Sequence, residues 1–145
     1  MSAVLEPDDL DFLDAQRVGH LATAGADGRP HVVPVCYARV DSRLYVPVDA
    51  KPKRGDPRRL ARLRNLRERP AAALLVDRYD EDWAQLRWLL IHAAAAILDD
   101  GDERAAALAA LEQRYPQYRA MGLAALGLPV IALAPTSVRR WASVA

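Results

Sequence analysis

A small, mainly β barrel of six strands with three or four short helices around it is the fold this sequence predicts. Three observations carry the prediction. Three apolar strand patterns follow one another closely between residues 20 and 48, two more flank the acidic run "DRYDEDW", and a last one follows the helical pattern near the C-terminus. Consecutive strands with short connections favour an antiparallel meander over βαβ units.

Each element has its own signal. Pro7 and the acids of "DDLDFLDAQ" suit the first turn of a short helix, with Leu10, Phe12, Leu13 and Ala15 free to pack and Gly19 just past its end. The run "HLATAGADGRPHVVPVCYARV" reads as a strand, an Asp27-Gly28 turn and a longer strand from about Pro30 to Val40. After an Asp41-Ser42 turn, "RLYVPVDA" adds a third strand. A helix is predicted from about Asp56 to Pro70, with Pro57 in its first turn and Leu60, Leu63 and Leu66 on one side. At 100° per residue, Arg58, Arg62, Asn65 and Arg69 form a polar stripe beside those leucines. "AAALLVDRY" is a buried strand; in "QLRWLLIHAAAAILDD" the β-branched and aromatic residues before Ala93 argue for another. "DERAAALAALEQRY" is helical up to Tyr115, where Pro116 forces a break or a second short helix. The last strand runs from about Pro129 to Trp141. No repeat and no linker divides the chain, so residues 1–145 are expected to form one domain.

Composition narrows the function classes. Hydrophobic residues make up 52% and charged residues 27%, and no apolar run reaches the roughly 18 residues that a membrane span needs. The N-terminal "MSAVLEPDDLDFLDAQ" is acidic where a secretory signal would be basic and then apolar, and Cys36 has no partner cysteine. A cytoplasmic protein is the expectation. There is no GxSxG, GxxxxGKS/T or GxGxxG, and His20, His31 and His92 lie in separate predicted strands without metal-ligand spacing. Cys36, within a strand, reads as core.

One segment stands apart. "DAKPKRGDPRRLARLRNLRERP", Asp49 to Pro70, holds nine Lys/Arg and three Asp/Glu, a local +6 in a chain of formal net charge +1. Nucleic acid, a phosphorylated small molecule and a merely solvated helix all compete for it. The segment contains no aromatic residue and the remaining chain is acidic, which argues against nucleic acid. Lys51 and Lys53 are the only lysines; with Arg59 and Arg62 on the first turns of the helix, they can surround a phosphate with point charges, planar forks and a helix N-terminus.

The order and spacing of "LAT…DGRPHVVPV", "KPKR", "RLRNLRERP" and "LLVDRYDEDW" resemble the pyridoxamine 5'-phosphate oxidase-like, FMN-binding split-barrel superfamily, and most of all its probable F420-dependent oxidoreductase branch. The similarity runs from about Asp9 to Trp141. It implies a six-stranded antiparallel split barrel, a homodimer with the cofactor at the subunit interface, and hydride transfer between coenzyme F420 and a small organic acceptor. It also implies a cofactor phosphate held by Lys51, Lys53, Arg59 and Arg62, and a ring lying along His31, Val33, Pro34 and Val48, partly through backbone groups. An FMN-binding flavoprotein and a non-catalytic carrier of F420, flavin or haem are the alternatives. Neither nucleic acid nor membrane is an expected partner. Two positions depart from the relatives' pattern: Leu90 stands where an arginine is common and Ala93 where a glycine is. Trp83, Trp88 and Trp141 are candidates for stacking on a planar ligand.

Overall fold

The computed structural model describes residues 4–49 and 55–143. Helix α1 spans Pro7–Ala15, followed by strands β1 (Gly19–Ala24), β2 (Pro30–Val35), β3 (Ala38–Val40) and β4 (Arg43–Pro47). A 3-10 turn, Pro57–Arg59, leads into α2 (Ala61–Glu68); β5 (Ala71–Arg78) and β6 (Arg87–Leu98) follow. Helices α3 (Gly101–Arg114) and α4 (Pro116–Met121) precede the last strand, β7 (Val130–Ala142). No helix among the described residues is long and apolar enough to cross a membrane.

All strands join one antiparallel sheet in the order β2-β1-β5-β6-β7-β4-β3. Its two edges, β2 and β3, are consecutive in the chain, so the segment Cys36-Tyr37 carries the backbone from one edge to the other. The curled sheet is thereby closed by covalent chain where no ladder pairs the edges, the signature of a split barrel. The sheet has seven strands and not six, because the predicted strand from Pro30 to Val40 breaks at that crossing. At the break the Tyr37 N–H, left without a strand partner, donates to the Tyr115 hydroxyl at 3.2 Å, and the Tyr37 hydroxyl donates to the Leu13 carbonyl at 2.6 Å.

Burial follows the side-chain period. On β5, Ala72, Leu74 and Val76 point inward and meet Leu89 and Ile91 of β6, Phe12 and Leu13 of α1, and Leu63 and Leu66 of α2 in the main core. Strand β4 after Arg43 and the first part of β7, residues 130–133, are buried on both faces. Leu44, Val46, Ile131 and Leu133 join the main core, while Tyr45, Val130 and Ala132 face a second cluster with Leu108, Leu111, Tyr115 and Tyr118 of α3 and α4. This is why "LYVPV" and "PVIALA" read as continuous apolar runs. Between β1 and β2 the Asp27-Gly28 turn forms as predicted: Gly28 takes φ +81°, and Asp27 accepts the Arg29 N–H at 2.9 Å.

The predicted helix from Asp56 is shorter and differently faced. Asp56 caps the 3-10 turn by accepting the Arg58 N–H, Leu60 is extended, and regular α-helix starts only at Ala61. Asn65, expected in the polar stripe, is buried and donates to the Thr23 hydroxyl at 3.0 Å. A hydrogen-bond partner on β1 offsets the cost of burying the amide.

The C-terminal strand is tied to α1 by a buried charge. Asp9 accepts the Glu6 N–H at 2.8 Å and pairs with Arg140 at 2.7 Å; its side chain is 1% exposed, that of Arg140 41%. Burial alone would raise the Asp9 carboxyl, but the hydrogen bonds from Arg140 and the Glu6 N–H, with the charges of Arg140 and Arg87, hold it below its ordinary value. A depressed carboxyl contributes stability above its unfolded value near 4 and loses it as pH falls through the lower folded value. Arg140→Ala is therefore expected to cost about 2 kcal/mol, less than a fully buried pair because Arg140 is half in water. Urea melts at pH 7 and pH 3 check this: the gap between variant and parent should shrink at pH 3, and an equal gap at both would refute the assignment.

Candidate functional site

The edge strand β2, the start of α2, the end of β4 and helix α4 converge on a cleft of about 500 Å³. His31, Val33 and Pro34 form its floor along β2; Pro47 and Asp49 close one side, Ala61 and Arg62 another, and Tyr118 the end. Among the described residues strand β2 pairs only with β1, so its outer edge presents backbone N–H and C=O groups with no ladder partner there beside this floor. A second cleft of about 350 Å³ adjoins at His31 and Ala61, and is lined by Arg29, Arg64, Asn65 and Glu68.

The charges here are few and strained. Burial pushes the Arg62 guanidinium below its ordinary value, while the nearby Asp49 charge and Tyr118 raise it. Its Nε is buried and has no hydrogen-bond partner among the described residues, and the same holds for His31 Nδ1. Asp49 is buried and accepts the Tyr118 hydroxyl at 3.0 Å. Burial first, then the Cys36 thiol and the Asp49 carboxylate beside it, drive the Tyr118 hydroxyl far above its ordinary value, so it stays protonated as a donor. A buried arginine with an unsatisfied donor costs free energy that an anionic ligand group can recover.

Of the predicted residues, His31, Val33, Pro34 and Arg62 come together in this cleft. Val48 does not line it: its side chain is 1% exposed within the main core, and its neighbours Pro47 and Asp49 form the wall. Arg59 is exposed on the 3-10 turn, outside the lining. Lys51 and Lys53 lie outside the described residues, two and four positions after Asp49. Cys36, expected in the core, is half-buried at the β2–β3 crossing and lines the cleft. The sequence carried no signal for Asp49, Cys36 or Tyr118; Tyr118 arrives from α4, a helix visible in the sequence only as a consequence of Pro116.

The tryptophans stand elsewhere. Trp88 and Trp141 are cross-strand neighbours at the far end of β6 and β7, and Trp83 is 67% exposed in the acidic loop. Leu90 lies on the outer face of the sheet between Leu75 and Arg139, so an arginine stands one strand over from it. Ala93 is buried next to a β-bulge at His92, where Thr136 is the extra residue and donates to the His92 carbonyl at 3.1 Å.

Comparison with known proteins agrees with this architecture. Over 94 residues the chain is 32% identical to a 5a,11a-dehydrotetracycline/5a,11a-dehydrooxytetracycline reductase of Streptomyces rimosus, an alignment that spans 64% of this chain and 63% of that protein. A conserved hypothetical protein of Mycobacterium tuberculosis superposes with TM-score 0.76 at 21% identity, covering 96% of this chain and 86% of the other. The heme storage protein HutZ of Vibrio cholerae gives 0.74 at 19% identity over 97% and 98%. A FAD-binding protein of Mesorhizobium loti gives 0.66 at 23% identity over 94% of each. These structures share the fold. The sequence pattern of the pyridoxamine 5'-phosphate oxidase family matches residues 5–142, and with nearly its whole length so matched the chain belongs to that family.

Proposed function

We propose that this protein is a cytoplasmic, homodimeric reductase that uses coenzyme F420 to reduce a small organic acceptor. The observation that carries the reading is the cleft itself, where a half-buried Arg62 with an unsatisfied Nε sits at one end of a floor made by an open strand edge. The reductase relative and the resemblance to the F420 branch support the deazaflavin over FMN. The strand before Lys51 also lacks the Thr or Ser that many FMN-binding relatives offer the phosphate.

The residues present fit such a ligand. The backbone edge of β2 would meet the polar rim of a planar ring, Val33 and Pro34 would supply apolar contact, and Arg62 would hold the phosphate, with Lys51 and Lys53, outside the described residues, proposed to join it. When bound, the reduced deazaflavin would supply the hydride for the acceptor's electrophilic double bond, with the balancing protons exchanged with solvent. The chain's share is to orient the ring and to exclude water from it. A second subunit would cover the outer sheet face, where Val32 is 64% and Leu75 36% exposed. A sedimentation mass of one chain would remove that subunit from the reading.

Titrating the purified protein with F420 and separately with FMN tests the cofactor: micromolar FMN binding without F420 binding replaces the leading reading by a flavoprotein. Failure to oxidise reduced F420 with any acceptor in a broad panel favours a carrier. Lys51→Ala with Lys53→Ala is expected to weaken F420 binding at least tenfold, about 1.4 kcal/mol, with the fold intact. Unchanged affinity returns both lysines to the solvated surface.

A further inference from the structure

Beyond the cleft, on the other side of Cys36 and Tyr118, lies a second pocket of about 330 Å³ between the chain after α1 and helix α4. Cys36 and Tyr118 belong to the walls of both, so the two spaces adjoin at these side chains. We propose that this pocket is a binding site for a flat, apolar, ring-containing molecule that carries one anionic group. Its role as the seat of the acceptor rests on the reductase reading; its capacity to bind such a molecule rests on the pocket alone.

The walls dictate the chemistry. Tyr115 and Tyr118 meet edge to face, with ring centroids 5.4 Å apart, and form an aromatic corner. Both hydroxyls are committed to partners within the protein. That of Tyr118 donates to Asp49, and that of Tyr115 accepts the Tyr37 N–H and donates to the Arg17 carbonyl at 2.8 Å. The lining is thus mostly ring surface, Cys36, Met121 and Val18, with the neutral amide of Gln117 as the one polar side chain besides Arg17. Sulfur and aromatic walls are polarizable and favour π-systems over hydrogen-bonding polar molecules. The volume is at the lower end of the range for small-ligand sites, about 300–1,000 Å³, enough for one or two rings.

One side chain breaks the apolar lining with charge. Arg17 stacks over the Tyr115 ring at 4.8 Å, and one of its terminal nitrogens donates to the Arg114 carbonyl at 2.7 Å. Its Nε and other terminal nitrogen make no hydrogen bond among the described residues, and no carboxylate there pairs with it. These donors sit at the rim of the pocket, held in place by the stack, where a carboxylate, sulfonate or enolate oxygen of an occupant can reach them. An uncharged apolar molecule would use the corner and ignore Arg17; an anionic one uses both. An occupant filling the corner reaches past Cys36, the smaller of the two shared side chains, toward the cleft.

Fluorescence titration of the purified chain, without cofactor, reads the pocket directly. The probes are 1-anilinonaphthalene-8-sulfonate and its uncharged relative N-phenyl-1-naphthylamine. Saturable binding of one sulfonate probe per chain is expected. Val18→Trp, at a position 46% exposed and so tolerant of bulk, fills the pocket and is expected to weaken both probes at least tenfold. Arg17→Gln is expected to weaken the sulfonate at least fivefold and the uncharged probe less than twofold. Tyr79→Ser, at an exposed position just past the end of β5 that lines neither cleft nor pocket, should change neither. Affinity within twofold of the parent in Val18→Trp, or loss on Tyr79→Ser, places the probe elsewhere and overturns the proposal. Equal weakening of both probes by Arg17→Gln overturns its anionic part. Probe binding as expected in a protein that binds neither F420 nor FMN overturns the reductase reading and leaves the pocket assignment standing.

Discussion

Replacing Arg62 with methionine is expected to weaken F420 binding tenfold to a hundredfold, about 1.4 to 2.8 kcal/mol, while leaving the ligand-free protein as stable as the parent or slightly more so. The two signs come from one fact. Without ligand, the guanidinium is half-buried, depressed by desolvation, and carries an Nε with no partner among the described residues. Exchanging it for an apolar side chain of similar length removes that desolvation cost and keeps the packing against Leu60 and Ala61. With an anionic ligand group present, the same guanidinium makes a charge-assisted hydrogen bond in a partly dry cleft, where such bonds are strongest. Asp49, buried in the same cleft, opposes an incoming anion. Its charge is met in part by the Tyr118 hydroxyl and by Arg62 itself, so losing Arg62 costs the ligand twice. Isothermal titration and a urea melt of the same preparation decide it. A variant that loses several kcal/mol of stability makes Arg62 a structural residue, and one that binds F420 like the parent moves the anion site to the segment after Asp49.

Local chemistry was legible in the sequence, and long-range satisfaction was not. The Asp27-Gly28 hairpin and the proline-led start of α1 both follow from residues within a few positions of one another. The break at Cys36-Tyr37 does not. Its stabilising partner, Tyr115, is 78 residues away, and nothing in "PVCYARV" distinguishes a strand that stops from one that continues. Asn65 failed for the same reason, since helical periodicity assigns it to the polar side and only Thr23, 42 residues distant, makes its burial affordable. In the site, His31, Val33 and Pro34 could be named through the family resemblance, and Arg62 through the basic segment and the same resemblance. Asp49, Cys36 and Tyr118 join them through the crossover and the placement of α4, which are tertiary facts.

The crossover also explains why ligand-sized space gathers where it does. A closed ladder would leave no gap between the first and last strands; here the edges β2 and β3 part at Cys36. The cleft and the aromatic pocket adjoin at that point; Tyr118 lines both, and Tyr115 lines the pocket and bonds the crossing at Tyr37. What holds them is the packing of α3 and α4 on the sheet, with one arginine between α3 and the end of α1.

Arg114→Ala is accordingly expected to lower stability by on the order of 3 kcal/mol, close to 10 °C in melting temperature for a chain of this size. The guanidinium donates to the carbonyls of Asp14 at 2.8 Å and Leu13 at 3.3 Å, and also to that of Gln16. These belong to the last turn and C-cap of α1, whose carbonyls have no onward partner in the helix and carry the negative end of its dipole. The same group lies 5.1 Å from the Tyr37 ring centroid and 5.4 Å from that of Tyr115, and its Nε donates to the Tyr115 hydroxyl at 3.2 Å. Removing it strips three carbonyls and two rings of one shared cation, a loss larger than any single contact but smaller than their sum. Arg114→Lys should recover less than half, because one ammonium cannot span three carbonyls in a fork while lying on two rings. A loss below 1 kcal/mol in the alanine variant, or full recovery by lysine, would show that α1 and α3 are held by their apolar contacts and that the fork is incidental. With a loss of the expected size, probe affinity in the aromatic pocket should fall as well, because the corner made by Tyr115 and Tyr118 is positioned by the side chain that was removed.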